Sequence, residues 1–536
     1  MKRPNILWFS LEDTSPRFGC YGDPLARTPN LDRIAAEGCR YDRAFSVAGV
    51  CAPSRATIIT GVYATFIGAQ HQRTTHTHPA APELPTPYEC CPPPYVKCFT
   101  EYLRAAGYYC TNNVKTDYQF SPPFTAWDEQ GPRAHWRARA PGQPFFSVFN
   151  PTGTHESGQW SEKDAECAIP GEARTDPSAV AVPPWLPDTP ETRRAIARQY
   201  DNIARSDRQL GERLRELAED GLLDDTVIAV WSDHGEGLPR AKRWPYDSGI
   251  RVPLILRWPG RVPAGTSSDR LASLIDLAPT MLAIAGVPAP AHLQGASLLD
   301  GPERDYIFAT RDRYDEAYDM VRAVRDRRFK YIRHYYPNQP HQLWIPYQYK
   351  HPAQRDLWRA ALRGETGGLE QTLGERRDPE CLYDLEADPC ELRNVAGDPR
   401  YAGDLARLRR ALDDWRRDFD RYGDVPESEM VRRWYPDGRQ PVTAAPIFIP
   451  IAEDALAGAP SQGGEYRGPT LVQLHCATQG ASIGWRDASE PGGRWRLYTG
   501  PIRVAPGRTL DLRAKAIRIG YRESAEAAAT FTAREM

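Results

Sequence analysis

Short apolar runs without alternation recur in the first half of the chain. Asn5-Ile6-Leu7-Trp8-Phe9, Tyr108-Tyr109-Cys110-Thr111, Phe145 to Phe149 and Thr226 to Trp231 each read as a strand buried on both faces, as in a parallel sheet. Polar residues stand just past each run: Glu12 and Asp13, Lys115, His155, and Asp233 with His234. Open α/β sheets bind ligands beyond the carboxyl ends of their strands, so these four segments are expected to converge on one crevice. Between the runs, Thr189 as N-cap, Pro190 at the first position and Ile196, Tyr200, Ile203, Leu210, Leu214 and Leu217 at helical spacing predict one long helix closed by Gly221. Strands alternating with helices predict an α/β fold with a mostly parallel sheet.

The pattern changes further along. Arg322 to Arg325 and Phe329 to Ile332 read as an antiparallel hairpin, and Asp404 to Phe419 as an amphipathic helix. The expected organisation is a catalytic unit over 1–315, a smaller α+β unit over 316–433, a Pro-rich linker over 434–450 and an accessory β-sandwich over 451–536. Runs at Leu471–Leu474, Arg494–Tyr498, Ile502–Val504 and Thr509–Ala516 are the tail's strand candidates.

Composition narrows the class. The chain has 536 residues, 41% of them hydrophobic and 26% charged, with 68 basic against 70 acidic side chains and a net charge of -2. A general nucleic-acid binder would be far more basic, and no run approaches the roughly 18 apolar residues of a membrane span. Nucleic acid and membrane are therefore not expected partners. The first ten residues lack the apolar stretch of a secretory signal, so the chain as written is expected in the cytoplasm, or in the periplasm if a leader was removed. Eleven cysteines without a spacing framework do not suggest a disulfide scaffold.

The segment Cys51-Ala52-Pro53-Ser54-Arg55-Ala56-Thr57 carries the most chemistry. Its proline can begin a helix, which would place Cys51 at a positive N-terminal end with Arg55 as a nearby cation. A thiol so placed can serve as a nucleophile, or it can be one more buried cysteine.

The Cys-x-Pro-Ser-Arg run with Thr60-Gly61 resembles the sulfatase motif. The opening Arg3 to Leu7, the block Lys242 to Pro253, and Leu382 to Leu385 with Asp388-Pro389 are similar to the same family, in its order, over about residues 3 to 420. The resemblance implies an alkaline-phosphatase-like α/β/α sandwich that hydrolyses sulfate esters. Cys51 would be oxidised by a formylglycine-generating maturation enzyme, and the hydrated aldehyde at position 51 would attack sulfur. Glu12, Asp13, Asp233 and His234, with the modified Cys51, match the family's metal set. Hard oxygens favour Ca²⁺, while the His234 nitrogen keeps Mn²⁺ in view.

Lys115 and Lys242 match the family's sulfate-binding lysines, and His155 is the candidate acid for the leaving oxygen. Asp117 stands where many sulfatases have a histidine, so either Asp117 acts as base or another histidine fills the space. His71 and Arg311 are candidates for substrate contact. The histidine-rich loop with His71, His76 and His78, and the Cys90-Cys91 and Cys98 group, lack a metal-site pattern.

The primary expectation is a sulfatase acting on a sulfated carbohydrate. A phosphonate or phosphodiester hydrolase of the same superfamily is the alternative, sustained by His234, and a noncatalytic glycan-binding member is a third. In the tail, Gly480 to Ile483, Tyr498 to Ile502 and Ala514 to Tyr521 look like the small β-domain appended to chitobiases, which suggests a carbohydrate substrate by analogy.

Overall fold

A computed structural model describes residues 3–76, 84–490 and 492–535; His78 lies outside them. The four apolar runs form parallel neighbours at the centre of an eight-stranded sheet. They are β1 (Asn5–Leu11), β2 (Tyr109–Asn113), β3 (Phe145–Phe149) and β4 (Thr226–Ser232), in the spatial order β4-β1-β3-β2. Beyond β4 lie Leu254–Arg257, antiparallel to it, then Cys39–Tyr41 and Thr266–Ser268. Beyond β2 the sheet ends on the two-residue strand Glu129–Gln130.

Every residue of β1, β3 and β4 is buried, because both faces of the sheet are covered. Successive side chains on a strand point to opposite faces. Leu7, Phe9 and Leu11 pack with Ile203, Leu210, Leu214 and Leu217 of the long helix α2 (Pro190–Glu219). Ile6 and Trp8 pack on the other side with Ala56, Ile58 and Ile59 of α1 (Cys51–Thr60). The result is the expected α/β/α sandwich. α2 begins as the sequence predicts, with the Thr189 hydroxyl accepting from the Thr192 N–H at 3.1 Å.

The smaller unit is a four-stranded antiparallel sheet, Ile307–Arg311, Val321–Arg325, Phe329–His334 and Glu380–Asp384. The helix Ala402–Phe419 covers it through Leu405, Leu408, Leu412 and Trp415. Its first strand lies in the stretch read from the sequence as the end of the catalytic unit.

The tail forms two packed sheets of three and five strands around Phe448, Val472, Leu512 and Phe531. Ile447–Ile451, all but Ile451 of it read as linker, is a strand paired with Thr470–His475, with Pro450 opposite Val472. It lies at a sheet edge, where a residue without an N–H is tolerated. The tail docks on the catalytic unit. Lys97 Nζ donates to Ser482 Oγ at 2.9 Å, Arg104 donates to the Trp495 carbonyl at 2.7 Å, and Arg494 pairs with Glu129 at 2.9 Å. All eleven cysteines are free. Among the described residues, no helix is long and apolar enough to cross a membrane.

Candidate active site

Cys51 is the first residue of α1 and only 2% exposed. Its Sγ lies 3.4 Å from His234 Nε2, 3.9 Å from Lys242 Nζ and 4.0 Å from Asp13 Oδ1. The end of β1 delivers Glu12 and Asp13, and the end of β4 delivers Asp233 and His234. Ligand-type atoms of Asp13, Cys51, Asp233 and His234 lie within 4.8 Å of one another, and so do those of Glu12, Asp13, Cys51 and His155.

Each carboxylate is held by a cation. Arg55 Nε donates to Asp233 Oδ2 at 2.9 Å, Lys242 Nζ reaches Asp13 Oδ2 at 2.6 Å and Lys115 Nζ reaches Glu12 Oε2 at 2.6 Å. Burial works to raise the Asp233 and Asp13 carboxyls, but the surrounding positive groups outweigh it. Arg55 and His234 bring Asp233 down to about 2, and Lys242, His234 and His155 hold Asp13 well below the usual range. Glu12 goes the other way: burial raises it despite Lys115 and Arg55.

Two observations fit this cluster to a cation. Glu12 Oε1 is buried without a hydrogen-bond partner, a costly state for a carboxylate oxygen. His234 Nδ1 lies 3.1 Å from the Gly235 carbonyl, which can only accept, so Nδ1 carries the proton in that bond. The neutral ring then turns a bare Nε2 toward Asp13, 3.0 Å away. With protein groups alone, burial would lower the His234 pKa, but Asp233 and Asp13 draw it up to about 10. That proton does the charge balancing a metal ion would do. Asp13, Cys51, Asp233 and His234, or Glu12, Asp13, Cys51 and His155, are close enough together to hold one, in either group partly through hard carboxylate oxygens.

His155 follows β3 and caps a short 3-10 turn. Its Nδ1 accepts from the Ser157 N–H at 3.3 Å, so the neutral ring carries its proton on Nε2. Burial, with Lys242 and Lys115 adding to it, brings its pKa down to about 3. Asp117 stands at the rim, with Oδ2 3.8 Å from Lys115 Nζ. A cavity of about 420 Å³ opens beside Glu12, Lys115 and His155 and continues to Asn202 and Arg205.

The structure brings together Glu12, Asp13, Cys51, Arg55, Lys115, His155, Asp233, His234 and Lys242, with Asp117 at the margin. His71 and Arg311, expected at the substrate, are both buried and make these contacts within the protein. His71 Nδ1 accepts from the Arg313 N–H at 3.2 Å. Arg311 is 2% exposed, pairs with Asp319 at 2.8 Å, stacks on Trp244 and donates to the Arg243 carbonyl. Arg311 thereby fixes the backbone next to Lys242, while His71 Nε2 is buried without a hydrogen-bond partner.

Three residues were not anticipated. Asn150, just past β3, accepts from Arg55 at 3.2 Å, and the strand-end pattern that pointed to His155 could have found it. Glu156 donates its backbone N–H to Asp13 Oδ2 and binds Arg243 through both oxygens. Those two residues adjoin His155 and Lys242 in sequence, but nothing in the sequence pairs them.

Comparison with known proteins shows the family. The sulfatase family profile matches residues 4–131 and 132–287, and the profile for the C-terminal part of N-sulphoglucosamine sulphohydrolase matches 235–354. An ulvan-active sulfatase of Formosa agariphila is 39% identical over 98% of this chain and 90% of its own length. Human N-sulphoglucosamine sulphohydrolase is 26% identical over 77% of this chain and 89% of its own.

Among solved structures, one in complex with its substrate D-glucosamine-2-N,6-O-disulfate covers 80% of this chain and 100% of its own. It superposes with a TM-score of 0.56 at 19% identity. A phosphonate monoester hydrolase from Silicibacter pomeroyi covers 78% and 96%, with a TM-score of 0.57 at 21% identity, so the fold alone does not separate the two chemistries. The sequence matches do: with Cys51 at its helix start and the carboxylates of two strand ends gathered around it, this chain belongs to the sulfatases, the sulfuric ester hydrolases of the alkaline-phosphatase-like fold.

Proposed function

We propose that this protein removes sulfate from a sulfated carbohydrate at a site centred on position 51, in its formylglycine form. The observation that carries the reading is the placement of Cys51 at a buried helix N-terminus between Lys242 and the carboxylate cluster. The 39% identity to an ulvan-active sulfatase supports a carbohydrate as the substrate. The appended β-sandwich is consistent with it.

The chain's residues divide the work. Lys115 and Lys242 bind the sulfate oxygens and hold the charge that grows on them as the S–O bond breaks. Arg55 fixes Asp233, and Asn150 helps fix Arg55. His155 presents Nε2–H to the leaving oxygen. A bound sulfate offsets the two lysines that depress His155, drawing the ring toward the protonated form a leaving-group acid needs. Asp117, facing Lys115, is the rim group placed to take a proton.

A divalent ion, Ca²⁺ or Mn²⁺, held by Glu12, Asp13, Asp233 and His234 with position 51, would supply Lewis-acid polarisation of the sulfate. Formylglycine at position 51, made by a maturation enzyme, would supply the nucleophilic hydroxyl.

The test is release of inorganic sulfate from sulfated oligosaccharides by protein expressed with a maturation enzyme. Its Cys51 peptide is expected to be about 18 Da lighter than the thiol form. The expected result is sulfate release that Cys51→Ala abolishes. Faster cleavage of phosphonate esters than sulfate esters would favour the phosphonate hydrolase, to which His234 also points. Unconverted thiol with no turnover would favour a binding protein.

A further inference from the structure

The cavity beside Glu12, Lys115 and His155 runs along one face of α2. Asn202, Arg205, Ser206 and Gln209 line it, at offsets of three, four and seven residues that place them in one stripe. Ile203, Leu210, Leu214 and Leu217 turn instead toward the sheet. Asn202 and Ser206 are 2% and 1% exposed, so this stripe faces the cavity and not bulk solvent. From Asn202 to Gln209 the helix rises about 10 Å, longer than one sugar ring. A second cavity, of about 390 Å³, shares Thr152 and Gln209 with the first and continues past Glu212 and Arg213. Together they make a groove that leads away from Lys115.

The ionic side chains lining the first cavity are matched except at one residue. Glu12 takes Lys115 at 2.6 Å, and Glu166 takes Lys163 at 2.8 Å. Arg205 is exposed and makes no ion pair among the described residues. Its hydrogen bond runs from a terminal guanidinium nitrogen, Nη1, to the Glu166 backbone carbonyl at 2.5 Å. That bond anchors one end of the guanidinium and leaves the Nε and Nη2 edge as a fork, the geometry that meets a carboxylate or sulfate with two parallel hydrogen bonds. A guanidinium is more weakly hydrated than an ammonium, so it exchanges water for an anion more readily. Beside it, Ser206 and Gln209 offer a hydroxyl and an amide, groups that can both donate to and accept from sugar hydroxyls.

The geometry points to this groove as the subsite for the sugar next to the one that bears the scissile sulfate, with Arg205 binding an anionic substituent on that neighbouring sugar. The substituent is a carboxylate or a further sulfate ester. His155 stands at the inner end, so the leaving oxygen marks where the first ring enters, and the α2 stripe marks where the chain continues. The inference rests on the carbohydrate sulfatase reading above. It makes a charged oligosaccharide the preferred substrate, through a contact that has no part in breaking the S–O bond.

The test compares kcat and KM of the full chain and its Arg205→Gln and Arg205→Lys variants on matched substrates. One pair is a sulfated disaccharide whose second sugar is a uronic acid, with its carboxyl-reduced form. The other is a disaccharide of neutral sugars sulfated on both rings, with its monosulfated form, and p-nitrophenyl sulfate completes the set. Arg205→Gln is expected to lower kcat/KM about tenfold or more on the member of a pair that bears the second anion, chiefly through KM, as loss of a hydrogen bond to a charged group would. The loss should be clearly smaller on its partner and on p-nitrophenyl sulfate. The pair that shows the gap identifies the anion, and Arg205→Lys, which keeps the charge without the fork, should fall between.

Equal loss on all substrates, or unchanged selectivity in folded variants of an active enzyme, overturns the inference alone. If Arg205→Gln does not fold, Arg205→Lys, which keeps the stem and a donor for the Glu166 carbonyl, decides by the same comparison. A wild-type protein that releases sulfate from none of these substrates overturns the functional reading, and this one with it.

Discussion

Asp13, Arg73, Asp117, Arg243 and Asp315 all adopt left-handed backbone angles, with φ between 47° and 74°. Each costs on the order of 1–3 kcal/mol, and all five lie in or beside the site. The chain accepts that cost to turn polar side chains into one crevice against their backbone preference. His155 offers the clearest test among single residues. If its Nε2–H serves the leaving oxygen, His155→Ala should lower kcat roughly 10²–10⁴-fold on a carbohydrate sulfate. The loss should be much smaller on p-nitrophenyl sulfate, whose leaving phenolate needs little protonation. Equal losses on the two would assign His155 to binding, and a steady-state comparison of both substrates distinguishes them.

Among elements, the strands buried on both faces and the helix α2 are legible in the sequence, because continuous apolar runs and the Thr189-Pro190 start each have one structural meaning. The tail is less so. Gly463–Arg467 carries one aromatic residue, and Ala527–Arg534 packs mainly small alanines. Ile447–Ile451 hides behind Pro450, which only an edge position permits. In the site, residues at strand ends were readable, while Glu156 and Arg243 come from distant segments that meet only after folding.

The segment around Lys242 depends on another such meeting. A Cβ on Gly249 would press on the carbonyl oxygens of Ala241 and Trp244, which flank Lys242 and Arg243. Gly249→Ala should therefore destabilise the protein by about 1–3 kcal/mol. Sulfate hydrolysis should fall more than stability does, because the strain displaces Lys242. Thermal melting and KM for the sulfate ester, measured together, check it.

At the scale of the whole molecule, buried histidines set the response to acid. His71, His334 and His351 are each brought down to about 4, first of all by burial. Their unfolded pKa is about 6.5. Between pH 6.5 and 4 the unfolded chain thus binds more protons than the folded one, and stability falls as pH falls through that window. The urea midpoint should drop steadily from pH 7 to pH 4.5, with proton uptake on unfolding. His351→Gln, which can still donate to Gln159, should flatten the slope. Asp312 and Asp207, which burial raises to about 7 and about 6, work in the opposite sense over the same window, so the difference between variants is the test. A His351→Gln slope equal to that of the unaltered protein would contradict the neutral state of that ring.

The docking of the tail has a consequence for assembly. Arg494 lies on Glu129, in the last strand of the eight-stranded sheet, so the β-sandwich stands over an edge whose unpaired amides could otherwise recruit a strand from another molecule. A chain ended after Thr443 should form concentration-dependent oligomers in size-exclusion chromatography, not merely melt earlier. The same order holds during synthesis. At ribosomal speeds the tail's roughly 90 residues take about 5–20 s to emerge. For that interval the catalytic sheet stands complete but unguarded, so the crowding of nascent chains, more than the stability of the finished enzyme, sets how much of it survives.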